Sequence, residues 1–170
     1  MGISEIKKEL SKLDKVQLID LISDLYRKNI SVKEYFKFYL KPDEKNLLEE
    51  YKDKVREGFF PKRGSQPRLS ISRKAINNFK KFEVSGECIA DLMFHYVECG
   101  IIFIYRYGDD NEQMVTSMSN TFEKALELIK KENLLEKFKE RVKDIIEETN
   151  DIGWGIGDIM AENYIEYYGK

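Results

Sequence analysis

The sequence predicts an all-α fold, and three observations carry that prediction. Apolar side chains recur every three to four residues through most of the chain. Ser, Asp or Asn stand just ahead of those stripes, as helix caps do. Only three prolines and ten glycines interrupt the 170 residues, and no segment reads convincingly as a strand. Eight or nine helices are expected, paired as antiparallel hairpins that close into a compact bundle or curve into a short α-α superhelix. A chain of this length can bury roughly two-thirds or more of its extended surface in one core, so a single helical domain over 1–170 is expected. Composition agrees, at 42% hydrophobic and 35% charged; the charged share exceeds the usual ~25% of globular domains.

The opening MGISEIKKELSKLDK is charged and amphipathic and lacks the apolar centre of a secretory signal. Ile6 stands where the myristoylation pattern needs Ser or Thr. Asp14 and Gln17 have capping-box spacing, with Leu13 and Leu18 placed as a staple, and the helix behind them is expected to bury Leu18, Ile22 and Leu25. Ser31 and Glu34 repeat the device before Tyr35, Phe36, Tyr39 and Leu40, and Pro42 ends that helix. Asp43 caps a segment through Leu47, Leu48, Tyr51 and Val55, which Gly58 and Pro61 stop. A connector of about ten residues follows, longer than most links between packed helices.

A helix starting at Ser70 or Ser72 turns Ala75, Ile76, Phe79 and Phe82 inward. Ser85 opens CIADLMFHYVECGIIFIY, apolar on nearly every side and therefore the central helix; its longest wholly apolar run, Cys99 to Tyr105, is too short to cross a bilayer. The chain turns at Asp109 and Asp110, and Asp110 with Gln113 opens a helix through Val115, Met118, Phe122, Leu126 and Ile129. Asn133 with Glu136 caps the next, through Leu135, Phe138, Val142 and Ile145. GWGIGD leads into the last helix. LIDLISDLYRKN and LLEEYKDKVREG are only vaguely alike, and no repeat of a known solenoid period emerges.

KKELSKLDKVQLIDLISDLYRKN, FFPKRGSQPRLSISRKAI, ADLMFHYVECG and GWGIGD together resemble a bacterial family catalogued as domain of unknown function 6155, over nearly the full length. The resemblance implies a small bacterial all-helical protein and brings no activity, cofactor or catalytic residue with it. Cys88 and Cys99 lie eleven residues apart in one expected helix, a rise of about 16 Å that excludes a disulfide. Reduced thiols and a cytoplasmic location are therefore expected.

Four stretches bear on function. Residues 58–82 hold seven basic side chains and no acidic one in a chain of net charge −2. Arg73 and Lys74 fall in the expected first helical turn, where the macrodipole disfavours cations. An anion held by the amides after Ser70 and Ser72, with Lys62, Arg63, Arg68 and Arg73 closing over it, would favour them. The simpler reading pairs these cations with the C-terminal end, where seven carboxylates and one lysine follow from Asp144 onward, or leaves them solvated. Nucleic-acid contact is a lesser alternative, since the pI is 5.7 and no nucleic-acid-binding signature is present.

Asp91, His95 and Glu98, with Cys88 and Cys99, share one face of the central helix. A buried carboxylate beside the only histidine could act as an acid–base pair, but a hydrogen-bonded structural role takes precedence. One histidine cannot supply di-iron or His-Glu-x-x-His zinc sites. GWGIGD departs from the dinucleotide fingerprint; it reads as tight seating of the last helix, with Trp154 as a core plug and Asp158 at the helix start, before it reads as a ligand lip. YGDDNE lacks the EF-hand ligand order. Tyr164, Tyr167 and Tyr168, with Tyr35 and Tyr39, offer an aromatic surface of the kind found at protein contacts. The expectation is a binding or scaffold module that contacts a protein partner or anionic ligand through its basic loop, with no cofactor, metal or membrane, and with its oligomeric state open.

Overall fold

A computed structural model describes every residue except Met1, Ser65, Asp109, Asp110 and Lys170. The described residues form nine α-helices and no strand: α1 (Ile3–Leu10), α2 (Lys15–Lys28), α3 (Ile30–Leu40), α4 (Glu44–Phe59), α5 (Leu69–Phe79), α6 (Gly86–Tyr107), α7 (Glu112–Lys131), α8 (Leu135–Thr149) and α9 (Ile156–Tyr168). A 3-10 turn, Lys80–Phe82, follows α5. They group into two compact units, Met1–Asp43 and Glu44–Lys170.

In the first unit, α2 starts on the expected capping box: the Gln17 amide donates to Asp14 Oδ1 at 2.8 Å, and the Asp14 amide donates to Gln17 Oε1 at 3.0 Å. Asn29, rather than Ser31, caps α3 by accepting from the Ser31 amide. Lys41, the residue before Pro42, leaves helical geometry at φ −143° and ψ 79°, as the proline ring requires. Tyr26 meets Phe36 edge to face across the hairpin at 6.2 Å. The expected burial of α2 does not follow: Leu18 is half-buried, and Ile22 and Leu25 are 44% and 49% exposed. None of the three helices contains a buried residue. Periodicity fixes which face is apolar, but covering that face takes more neighbours than a hairpin provides.

The second unit is a bundle built round α6. Leu92, Phe94, Tyr96, Val97, Ile101 and Phe103 are fully buried there, facing α4, α5, α7 and α8. Phe94 packs on Phe122 of α7 and Phe138 of α8, and Phe59 of α4 on Tyr96. By length and composition α6 could cross a bilayer, contrary to the shorter run read from the sequence, yet 61% of its apolar window is buried by the bundle, the pattern of a core helix. Ser85 caps it by accepting from the Cys88 amide, while its own amide and hydroxyl donate to the Glu44 carboxylate at 3.0 and 2.7 Å.

Two further caps fall elsewhere than expected. Asn111 caps α7 through the Met114 amide at 2.9 Å; Asp110, the expected cap, lies with Asp109 outside the described residues. Asn133 does not open α8. It sits at φ 58° and closes α7, with the Leu134 amide on the Ile129 carbonyl and its own amide on the Lys130 carbonyl. That is a Schellman motif with asparagine at the left-handed position.

Candidate functional site

The polar face of α6 is occupied by a clamp. Arg141 of α8 grips Glu98 with two parallel bonds, Nε to Oε1 at 2.6 Å and Nη2 to Oε2 at 2.9 Å. It also lies 3.3 Å from Asp91 Oδ1, which Lys52 of α4 approaches to 2.9 Å; these two are charge contacts rather than aligned hydrogen bonds. His95 Nδ1 is 3.7 Å from Glu98 and its Nε2 is 3.5 Å from Cys99 Sγ. Burial pushes the Glu98 carboxyl up, but hydrogen bonds and charge from His95 and Arg141 outweigh it and hold the group down at about 2. A carboxylate so strongly held is a poor proton acceptor near neutrality. Burial pushes the Cys99 thiol up to about 12, which removes it as a nucleophile. Asp91, His95 and Glu98 are thus brought together as expected, but with two cations that tie α8, α6 and α4 into one piece. Among the described residues no three His, Cys, Asp or Glu groups are placed to hold a metal.

The basic segment is arranged differently from the expectation. α5 begins at Leu69 with Arg68 as its cap residue, which puts Arg73 and Lys74 past the first turn, where the macrodipole penalty has faded. Ser72 is buried, and its hydroxyl donates to the Val55 carbonyl at 2.7 Å. It therefore holds α5 to α4 and is not turned to a ligand. A β-carbon at Gly58 would lie 2.0 Å from Ser72 Oγ and 2.9 Å from the Ser72 amide nitrogen, so glycine permits this approach. The Arg68 amide donates to the Gly58 carbonyl at 2.6 Å. Lys62, Arg63, Arg68 and Ser70 are exposed.

No basic residue of this segment forms an ion pair among the described residues. Pairing with the acidic C-terminal end, one half of the simpler reading, is absent there, whereas Lys62, Arg63 and Arg68 are exposed, as its other half, plain solvation, expects. Arg73 instead lines a cleft of about 440 Å³ between α5 and α7, with Glu112, Gln113, Thr116, Asn120, Thr121 and Lys124. Of the six residues expected around an anion, Arg73 alone lines it. A neighbouring cleft of about 370 Å³ shares Lys124 and adds Lys80 and Lys131 over an apolar floor of Ile89, Met93 and Leu128. Burial, and then the charge of Lys124, push the Lys80 ammonium pKa down; Glu127 lines the same cleft but forms no ion pair with these lysines among the described residues.

GWGIGD combines a confirmed and a failed expectation. Gly157 backs onto α8, and a β-carbon there would lie 3.1 Å from the Thr149 carbonyl oxygen, so the last helix is seated tightly. Trp154 is no core plug. It is 58% exposed at φ 63°, on the turn before Gly155 starts α9. It borders a third cleft, about 340 Å³, on the other side of α7 from Arg73. Tyr164 and Tyr168 stack at 4.6 Å, the Tyr168 hydroxyl donates to the Leu135 carbonyl, and Lys130 lies 5.0 Å above the Tyr167 ring. Much of this tyrosine cluster is thereby spent within the fold.

The α7 residues Gln113, Thr116, Asn120, Thr121 and Lys124 were missed from the sequence, where α7 stands out only for its apolar stripe. A signal exists: QMVTSMSNTF, 113–122, is ten residues without a charge in a chain that is 35% charged. A solvated helix face seldom replaces lysine and glutamate with hydroxyls and amides throughout. No curated protein and no solved structure matches the chain. The model of a family of unknown function, DUF6155, matches it over residues 1–162, and the protein belongs to that family.

Proposed function

We propose that the protein is a binding module that engages an anionic group on a protein partner at the α5–α7 cleft. One observation carries the reading: among the described residues, Arg73 and Lys124 line a polar cleft whose one carboxylate, Glu112, is not within ion-pairing distance of either. The guanidinium supplies a planar fork for a carboxylate or phosphate, and Gln113, Thr116, Asn120 and Thr121 supply amide and hydroxyl donors beside it. Lys80 and Lys131 extend the positive field along the same side of α7, while Lys62, Arg63 and Arg68 stay on the connector to raise the rate of encounter.

The test is a thermal-shift titration with a phosphoserine peptide, its glutamate and serine counterparts, and a single-stranded oligonucleotide. Wild type should be stabilised by the phosphopeptide in a salt-dependent way, by roughly 3 kcal/mol at a hundredfold excess over Kd. Arg73→Glu with Lys124→Glu should lose the effect. No stabilisation by either anionic peptide at millimolar concentration overturns the proposal; stabilisation by the oligonucleotide alone transfers the cleft to nucleic acid.

A further inference from the structure

The cleft bordered by Trp154 has the opposite chemistry. α7 contributes Glu112, Ser119, Asn120 and Glu123, and α9 contributes Asn163. No lysine or arginine lines it. Among the described residues neither Glu112 nor Glu123 has an ion-pair partner, and Ser119 Oγ is buried without a hydrogen-bond partner. Such a hydroxyl costs stability unless something reaches it. The indole beside them is the only one in the chain and is largely exposed. Its backbone is left-handed, which is disfavoured for a bulky residue, and its side chain borders the cleft instead of entering the core.

We infer that this cleft binds an alkylammonium group, held between the Trp154 face and the Glu112 and Glu123 carboxylates, with Ser119 and Asn163 accepting its N–H donors. An ammonium over an indole is attracted by the ring quadrupole, and nearby carboxylates add charge-assisted hydrogen bonds. The adjoining α7–α9 face shows the same chemistry within the chain: Lys130 lies over the Tyr167 ring. The Tyr167 pKa is raised, by burial first and then by the Glu127, Glu166 and Glu123 carboxylates. The inference does not depend on the anion reading, because the discriminating groups here, Trp154, Ser119, Glu123 and Asn163, line only this cleft and not the one holding Arg73.

Because Trp154 is the sole tryptophan, its fluorescence reports the site directly. At constant ionic strength, n-butylammonium chloride and the peptide acetyl-Ala-Lys-Ala-amide should each change the emission saturably. Butanol and acetyl-Ala-norleucine-Ala-amide should not. Glu112→Gln with Glu123→Gln, both on exposed side chains, should weaken binding roughly tenfold or more while the chain stays cooperatively folded, the loss of Glu112 from the first turn of α7 costing only a small shift in thermal midpoint. Trp154→Leu, followed by calorimetry, should weaken it severalfold. Tighter binding of the lysine peptide than of the free amine identifies the ligand as a side chain on a protein; equal affinity identifies a small amine. No saturable signal or heat with either cation at tens of millimolar, equal response to the neutral isosteres, or full affinity in the double glutamine variant overturns the inference.

Discussion

Replacing Glu98 by Gln isolates what the clamp contributes to the fold. Its carboxyl sits at about 2 against an ordinary 4.5, which corresponds to roughly 3 kcal/mol of native-state preference for the ionised form. The sign follows from the direction of the shift. A depressed carboxyl stabilises the native state fully above about pH 4.5 and loses that stabilisation as pH falls towards 2, because the unfolded chain takes up the proton first. Urea unfolding of wild type and Glu98→Gln should therefore differ by roughly 3 kcal/mol at pH 7 and by only about 1 kcal/mol at pH 3.

The partner variant provides an independent arm. Among the described residues Arg141 alone reaches both Glu98 and Asp91, and its side chain is 27% exposed. Arg141→Met should cost roughly 2–3 kcal/mol, somewhat below the cost of breaking a fully buried pair. The double variant should lose clearly less than the two singles together, since removing both partners leaves no stranded charge. A wild-type-to-variant difference that is the same at pH 7 and pH 3, or singles that add, would refute the account of Glu98 as an ion held by Arg141.

Gly58→Ala forces a β-carbon into the Ser72 hydroxyl and backbone; it should destabilise by about 1–3 kcal/mol, and chemical denaturation with unchanged slope checks it. Ser72→Ala removes the donor to the Val55 carbonyl and should cost about 1 kcal/mol in the same assay. Asn133→Gly should be neutral or slightly stabilising and Asn133→Ala destabilising by about 1 kcal/mol, because position 133 needs φ near 58°; an alanine variant as stable as wild type removes the Schellman assignment. Cys99, buried and with its thiol pushed up to about 12, should resist iodoacetamide at pH 8 until urea unfolds the chain, with labelling followed by intact-mass spectrometry.

The sequence showed most clearly those features whose two partners are neighbours along the chain. Asp14 and Gln17 read correctly because a capping box closes within four residues. Ser85 read correctly as a cap for the same reason, although its long-range partner Glu44 gave no sign. Ser72 was misassigned because its acceptor, the Val55 carbonyl, lies seventeen residues back. Asn133 was misassigned because asparagine suits both a helix start and a left-handed stop, and only the fold chooses between them. For Trp154, two flanking glycines do not say whether an indole turns in or out; the left-handed turn decides it. Burial was the weakest inference. The stripes of α2 and α6 have the same period, yet α6 is packed by helices on several sides while α2 has only its hairpin partner within its unit.

Where local rules fail is informative about where selection has acted for something besides stability. On α6, the polar residues that first suggest chemistry are compensated in charge: each carboxylate has a cation within ion-pairing distance, even where Asp91 Oδ1 lacks an aligned hydrogen bond, and the thiol is masked by burial. The exceptions gather round α7. Lys80 and Lys124 share a cleft with Glu127 but form no ion pair with it, Arg73 lines a polar cleft unpaired, Ser119 buries a hydroxyl without a partner, and Trp154 is exposed in a conformation that bulky residues avoid. Among the described residues the two lysines and Arg73 lack a paired anion and the Ser119 hydroxyl lacks a hydrogen-bond partner, which is what a ligand group on either side of α7 would supply. Glu112, Thr116 and Asn120 line both the cleft of Arg73 and the cleft of Trp154, so an anion on one side of this ridge and a cation on the other would be sensed by the same three side chains.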